Sequence, residues 1–152
     1  MLTVEQTIII EAPMEMVMRA LNDVEGFPGW ATVKGKIGNV QGRGLGMTYE
    51  WYYTVEGLNF KGKSEVIEQT ANTLITKTTG DIDSIWTITL TALGKGRTAV
   101  RVVVEYTLPG SFVEVLADEV IQQYATPEVA RENLKRFKQV VEEQTKIAEG
   151  HV

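Results

Sequence analysis

The stretch MTYEWYYTVEGLNFKGKSEV, Met47 to Val66, decides how this chain folds. Met47, Tyr49, Trp51, Tyr53 and Val55 share one parity, while Thr48, Glu50, Thr54 and Glu56 share the other with Tyr52. A period of two belongs to a strand with one buried face, so the aromatic set faces inward. Gly57 marks a turn, after which Phe60, Gly62, Ser64 and Val66 continue the inward set and Lys61, Lys63 and Glu65 face out. So short a connection makes the two strands antiparallel neighbours.

Outward from this hairpin, turn signals at Gly42 to Gly46, Ala71 to Asn72, Gly80 to Asp81 and Gly94 to Gly96 divide Val33 to Tyr106 into six strands. The same parity continues inward through Ser84, Trp86, Ile88 and Leu90, then Val100, Val102, Val104 and Tyr106. Before them, Thr3 to Glu11 alternates with Val4, Ile8 and Ile10 on one face, which is a further strand. Pro13 suits the first turn of a helix carrying Met14, Val17, Met18 and Leu21, and a second short helix ends near Trp30.

Leu108 to Gly110 breaks the sheet, and Ser111 with Glu114 makes a capping-box pattern for a helix that is interrupted near Tyr124. Thr126 followed by Pro127 starts a second helical segment running to about Glu149, with Ala130, Leu134, Phe137, Val141 and Ala148 on one stripe. About 22 residues of helix span roughly 33 Å, the width of a small sheet. The expected fold is therefore α+β and of the helix-grip type: a seven-stranded curved antiparallel sheet wrapped around a long C-terminal helix, with two short helices between strands 1 and 2. Residues 1–152 are expected to form a single domain.

Several stretches carry a resemblance across nearly the whole chain. They are Ile10 to Pro13 (IEAP), Asp23 to Trp30 (DVEGFPGW), Gly44 to Gly46, Trp86 to Leu90 (WTITL), Thr98 to Tyr106 (TAVRVVVEY) and Glu132 to Arg136 (ENLKR). In these the chain resembles the START-like, or SRPBCC, superfamily, which includes the birch-pollen allergen, lipid-transfer START domains and the polyketide cyclase/dehydrase group. The resemblance implies an apolar cavity between sheet and helix. It implies no particular activity, because members include carriers, receptors and cyclases.

Composition narrows the partners. The 152 residues are 43% hydrophobic and 23% charged, with a net charge of -5 and no cysteine. Disulfides, thiolate nucleophiles and sulfur-bound metals are ruled out, and a cytoplasmic location is the default. An acidic chain without a basic face or a reading motif is a poor match for nucleic acid. Its apolar runs are far shorter than the roughly 20 residues of an integral membrane segment.

Aromatic walls with a few hydroxyls suit a small hydrophobic ligand such as a lipid, polyketide or isoprenoid-like molecule. The candidate ligand-binding set is Tyr49, Trp51, Tyr53, Phe60, Ser64, Ser84, Trp86, Ile88 and Tyr106 from the sheet, with Leu134, Phe137 and Val141 from the helix. Phe27, Trp30 and Tyr124 are expected at the cavity mouth. No catalytic residue can be named, because the inward face offers almost no acid or base: His151 lies at the terminus, and Glu68 shares the inward parity but falls at a strand end, where a solvated carboxylate is expected. A cyclase or dehydrase-like reaction would have to use Tyr49, Tyr53 or Ser64. The Gly42 to Gly46 run joins two strands and reads as a turn, and Asp81 with Asp83 reads as hairpin chemistry, so no cofactor or metal is expected. Tyr52, Ile67, Ile75, Ile85 and Val103 have outward parity and leave a partner-binding or dimerising surface as a third alternative.

Overall fold

A computed structural model describes residues 2–55, 57–107 and 126–149. Seven strands form one antiparallel sheet: β1 (Leu2–Ile10), β2 (Lys34–Gln41), β3 (Thr48–Val55), β4 (Leu58–Gln69), β5 (Thr73–Gly80), β6 (Asp83–Ala92) and β7 (Thr98–Thr107). Their spatial order is β1-β7-β6-β5-β4-β3-β2, so five of the six pairings join strands consecutive in sequence. Between β1 and β2 lie α1 (Met14–Asn22) and a 3-10 helix (Val24–Gly29). The long helix α2 (Pro127–Ala148) follows and packs on β1 and α1. The α+β helix-grip architecture expected from the parity pattern is the one observed. The expected segment from Ser111 to Tyr124 lies outside the described residues.

Local chemistry explains the joints. The Thr126 side chain accepts the Val129 amide at 3.2 Å, so α2 starts at the Thr-Pro signal. The buried Thr98 hydroxyl donates to the Ala12 carbonyl at 2.8 Å and fastens the turn before α1 to β7. Gly42, Gly44 and Gly46 all have positive φ, which gives the β2–β3 connection its tight path. Asp81 accepts the Lys61 amide and Asp83 accepts the Gly80 amide, so both carboxylates serve the turn between β5 and β6.

Of two expectations, the solvated carboxylate at Glu68 is met and the buried stripe of the long helix needs correction. The β4 to β5 register shifts between Val66 and Glu68, and this irregularity ends the simple parity, leaving Glu68 exposed. On α2 the buried stripe is Leu134, Phe137, Val141 and Thr145, and Ala148 is exposed in the last turn. Thr145 tolerates burial because its hydroxyl donates back to the Val141 carbonyl at 2.8 Å.

Outward apolar residues have polar direct partners across the strands. Ile85 is flanked directly by Lys77 and Glu105, and Val103 by Glu5 and Thr87. Among the described residues no helix is long and apolar enough to cross a membrane.

Candidate functional site

The inner face of the sheet and the buried stripe of α2 do not close completely on one another. Between them lies a cavity of about 130 Å³, roofed by the segment around the 3-10 helix. From the sheet it is lined by Tyr49, Trp51, Ser64, Trp86, Ile88 and Tyr106, and from α2 by Leu134 and Phe137. Phe27 and Trp30 line it as well. The other expected residues stand elsewhere. Tyr53 stacks on Trp51 at 5.8 Å and Phe60 on Tyr53 at 5.5 Å, so this pair extends the aromatic run beyond the cavity. Val141 is fully buried outside the lining, one turn of α2 past Phe137. Ser84 sits within the wall, where it accepts the Trp86 indole N–H at 3.2 Å. Tyr124 lies outside the described residues.

Four aromatic rings tie the elements together. Phe27 meets Trp30 at 4.4 Å and the edge of Trp51 at 5.1 Å, and Trp30 meets Phe137 at 5.0 Å. Phe27 of the 3-10 helix thus touches β3, and Trp30 just after it touches α2, in the edge-on and tilted geometries aromatic pairs prefer. Trp51 can occupy its place because Gly35, on the adjacent strand, has no Cβ; one there would lie 2.7 Å from the indole ring. Gly62 makes room in the same way for Thr78, whose Cγ2 would stand 3.0 Å from an added Cβ.

Several lining residues carry little sequence signal. Leu74, Thr76 and Thr78 come from β5, where threonine occupies both parities and blurs the alternation. Asn133 is polar on an amphipathic helix and would be assigned to solvent, yet its Oδ1 accepts the Thr32 amide at 2.7 Å beside the cavity. The three-residue spacing from Ala130 to Asn133 places both on the cavity side, a signal available only once the helix face is known.

The polar groups in the wall are uncharged. Ser64 and Thr78 share a hydrogen bond of 2.7 Å, and Ser64 also reaches the Tyr49 phenol. Burial pushes the Tyr49 phenol above its ordinary range, and the Ser64 contact only partly offsets this. It therefore remains a proton donor at neutral pH and makes a poor base. Among the described lining residues there is no Asp, Glu, His, Lys or Arg.

Comparison with known proteins agrees with this geometry. Residues 1–142 match the model of the family described as polyketide cyclase / dehydrase and lipid transport. The chain belongs to that family, within the START-like, or SRPBCC, superfamily. Among solved structures it is similar to TTHA0849 from Thermus thermophilus, at 23% identity and a TM-score of 0.75, covering 91% of this chain and 96% of that one. The Zhui aromatase/cyclase from Streptomyces sp. R1128 is 18% identical with a TM-score of 0.61, over 98% of this chain and 93% of the other. A START superfamily protein from Mycobacterium smegmatis is 18% identical with a TM-score of 0.63, over 96% and 98% of the two chains. At these identities the likeness concerns the fold. Comparison with curated proteins finds no match.

Proposed function

We propose that this member of the family binds a small hydrophobic molecule, such as a lipid, polyketide or isoprenoid-like compound, in the cavity between the sheet and α2. The observation that carries the reading is a cavity of about 130 Å³ bordered by Trp30, Trp51, Trp86, Phe27 and Phe137, with no ionisable acid or base of the Asp, Glu, His, Lys or Arg type among its described lining residues. Protein interiors ordinarily close-pack, and packing contacts forgone around a cavity cost free energy. A ligand offsets that cost and gains about 25 cal/mol for each Å² of apolar surface it removes from water.

Native mass spectrometry after gentle purification, followed by extraction and identification of whatever is bound, tests this directly. The expected result is a one-to-one adduct whose affinity falls at least tenfold in Trp51→Ala and in a folded Phe137→Ala. Unchanged affinity in both variants would remove the ligand from this cavity.

A cyclase or dehydrase-like reaction is the second reading, favoured by the bonded Tyr49, Ser64 and Thr78 hydroxyls and by the similarity to an aromatase/cyclase. A protonated phenol at the end of such a chain suits donation to a carbonyl oxygen that gains charge. Tyr53, stacked beyond Trp51, drops out of this role. Turnover of a polyketone that survives Tyr49→Phe combined with Ser64→Ala would end the assignment.

A further inference from the structure

The sheet register aligns hydroxyls on five consecutive strands. Tyr49 on β3 is the partner of Ser64 on β4, Ser64 of Thr78 on β5, Thr78 of Ser84 on β6, and Ser84 of Tyr106 on β7. All five have the inward parity, so they form a row across the strands at intervals of about 4.8 Å. Ser84 accepts the Trp86 indole N–H, and the side chains of the other four line the cavity. A different level of the same face, Leu74, Ile88 and Val102 across β5 to β7, is wholly apolar.

A row of hydroxyls is a poor way to fill a core, because each must find a partner. Tyr49, Ser64 and Thr78 have three O–H donors but only two links among themselves, which leaves one proton and several lone pairs toward the cavity. Hydroxyl rotors can turn together, so the spare proton can stand at either end of the trio. The surplus is both a donor and an acceptor capacity, and it is neutral.

We infer that the cavity selects uncharged ligands bearing two or more hydrogen-bonding oxygens along one edge, held across the strands against Tyr49, Ser64 and Thr78. This rests on the proposed binding role and names the ligand class for it. A bare hydrocarbon leaves the spare proton of the Tyr49, Ser64 and Thr78 trio without a partner, and a carboxylate brings an unpaired charge to a wall with no cation among its described lining residues.

The test is calorimetric titration of the whole chain with three probes on one carbon frame: 2,6-dihydroxynaphthalene, naphthalene and 2-naphthoate. The diol is expected to bind about tenfold tighter than naphthalene, as one or two neutral hydrogen bonds would give, and naphthoate to bind weakest. In Tyr49→Phe combined with Thr78→Val, which keeps the shapes, the ratio of diol affinity to naphthalene affinity should fall to about one. Equal affinity for diol and naphthalene in the unmodified protein would overturn the selection and leave the hydrophobic cavity standing. So would a preference that survives the double substitution, and so would tightest binding of naphthoate. Failure of every probe to bind would instead overturn the cavity reading and this inference with it. The comparison of probes on the unmodified protein decides the matter even if the double variant does not fold.

Discussion

The Thr32 amide donates to Asn133 Oδ1 at 2.7 Å, joining two residues 101 positions apart that both stand at the cavity. The bond links the segment carrying Phe27 and Trp30 to the helix carrying Leu134 and Phe137. Replacing the acceptor while keeping the volume, as in Asn133→Leu, leaves a partly buried amide without a partner. A loss of about 1 to 3 kcal/mol is expected in urea denaturation. Asn133→Asp keeps an acceptor and should lose much less; equal losses would show that the bond contributes nothing.

Phe137 is 1% exposed and packs on Trp30 at 5.0 Å. Phe137→Ala is expected to cost about 3 to 5 kcal/mol, the range for emptying an aromatic site in a core. Denaturant midpoints measure it. Because the side chain also lines the cavity, an apolar ligand added in excess should recover part of the loss by filling the space.

Glu142 anchors α2 to the end of β1. Burial pushes its carboxyl up, but the Lys138 ammonium and the Glu11 backbone amide pull harder, and its pKa lies below the ordinary 4.5. Lys138 also donates to the Ile9 carbonyl at 2.9 Å. A carboxyl depressed on folding adds stability that is present above its unfolded pKa and is lost as pH falls through the folded value. The advantage of the native protein over Glu142→Gln in melting temperature should therefore be constant from pH 7 to about 5 and shrink toward pH 3. An advantage that grows on acidification would contradict the linkage.

At Gly35 an added Cβ would stand 2.6 Å from the Tyr52 carbonyl oxygen as well as 2.7 Å from the Trp51 ring. Gly35→Ala is expected to destabilise by about 1 to 3 kcal/mol and to shift Trp51 within the wall. A changed near-ultraviolet circular dichroism band alongside the lost stability is the readout; an unchanged band would mean that the backbone, not the indole, gives way.

Much of the fold was legible in the chain itself. Glycine and aspartate turns sit at every strand junction from β2 to β7 except the Ala71–Asn72 one, and the parity from Tyr49 to Phe60 puts Trp51 inside for the same steric reason that puts Tyr52 outside. The site was legible in part. Tyr49, Trp51, Ser64, Trp86 and Phe137 are inward by periodicity and do line the cavity, whereas Tyr53 and Phe60 share that parity and do not. Periodicity states which face a side chain takes and says nothing of where along that face two layers part.

Sequence alone thus determined the strands, their turns, the capped start of α2 at Thr126 and the aromatic character of the inner face, because each depends on neighbours within a few residues. Only the tertiary structure decided the rest. The alignment of Tyr49, Ser64, Thr78, Ser84 and Tyr106 follows from pairings across five strands. The bond from Thr32 to Asn133 and the gap left beside Phe137 depend on how far α2 sinks into the sheet. That depth is set by the summed packing of rings from β3, the 3-10 helix and α2, a balance over residues distant in sequence that no local pattern records.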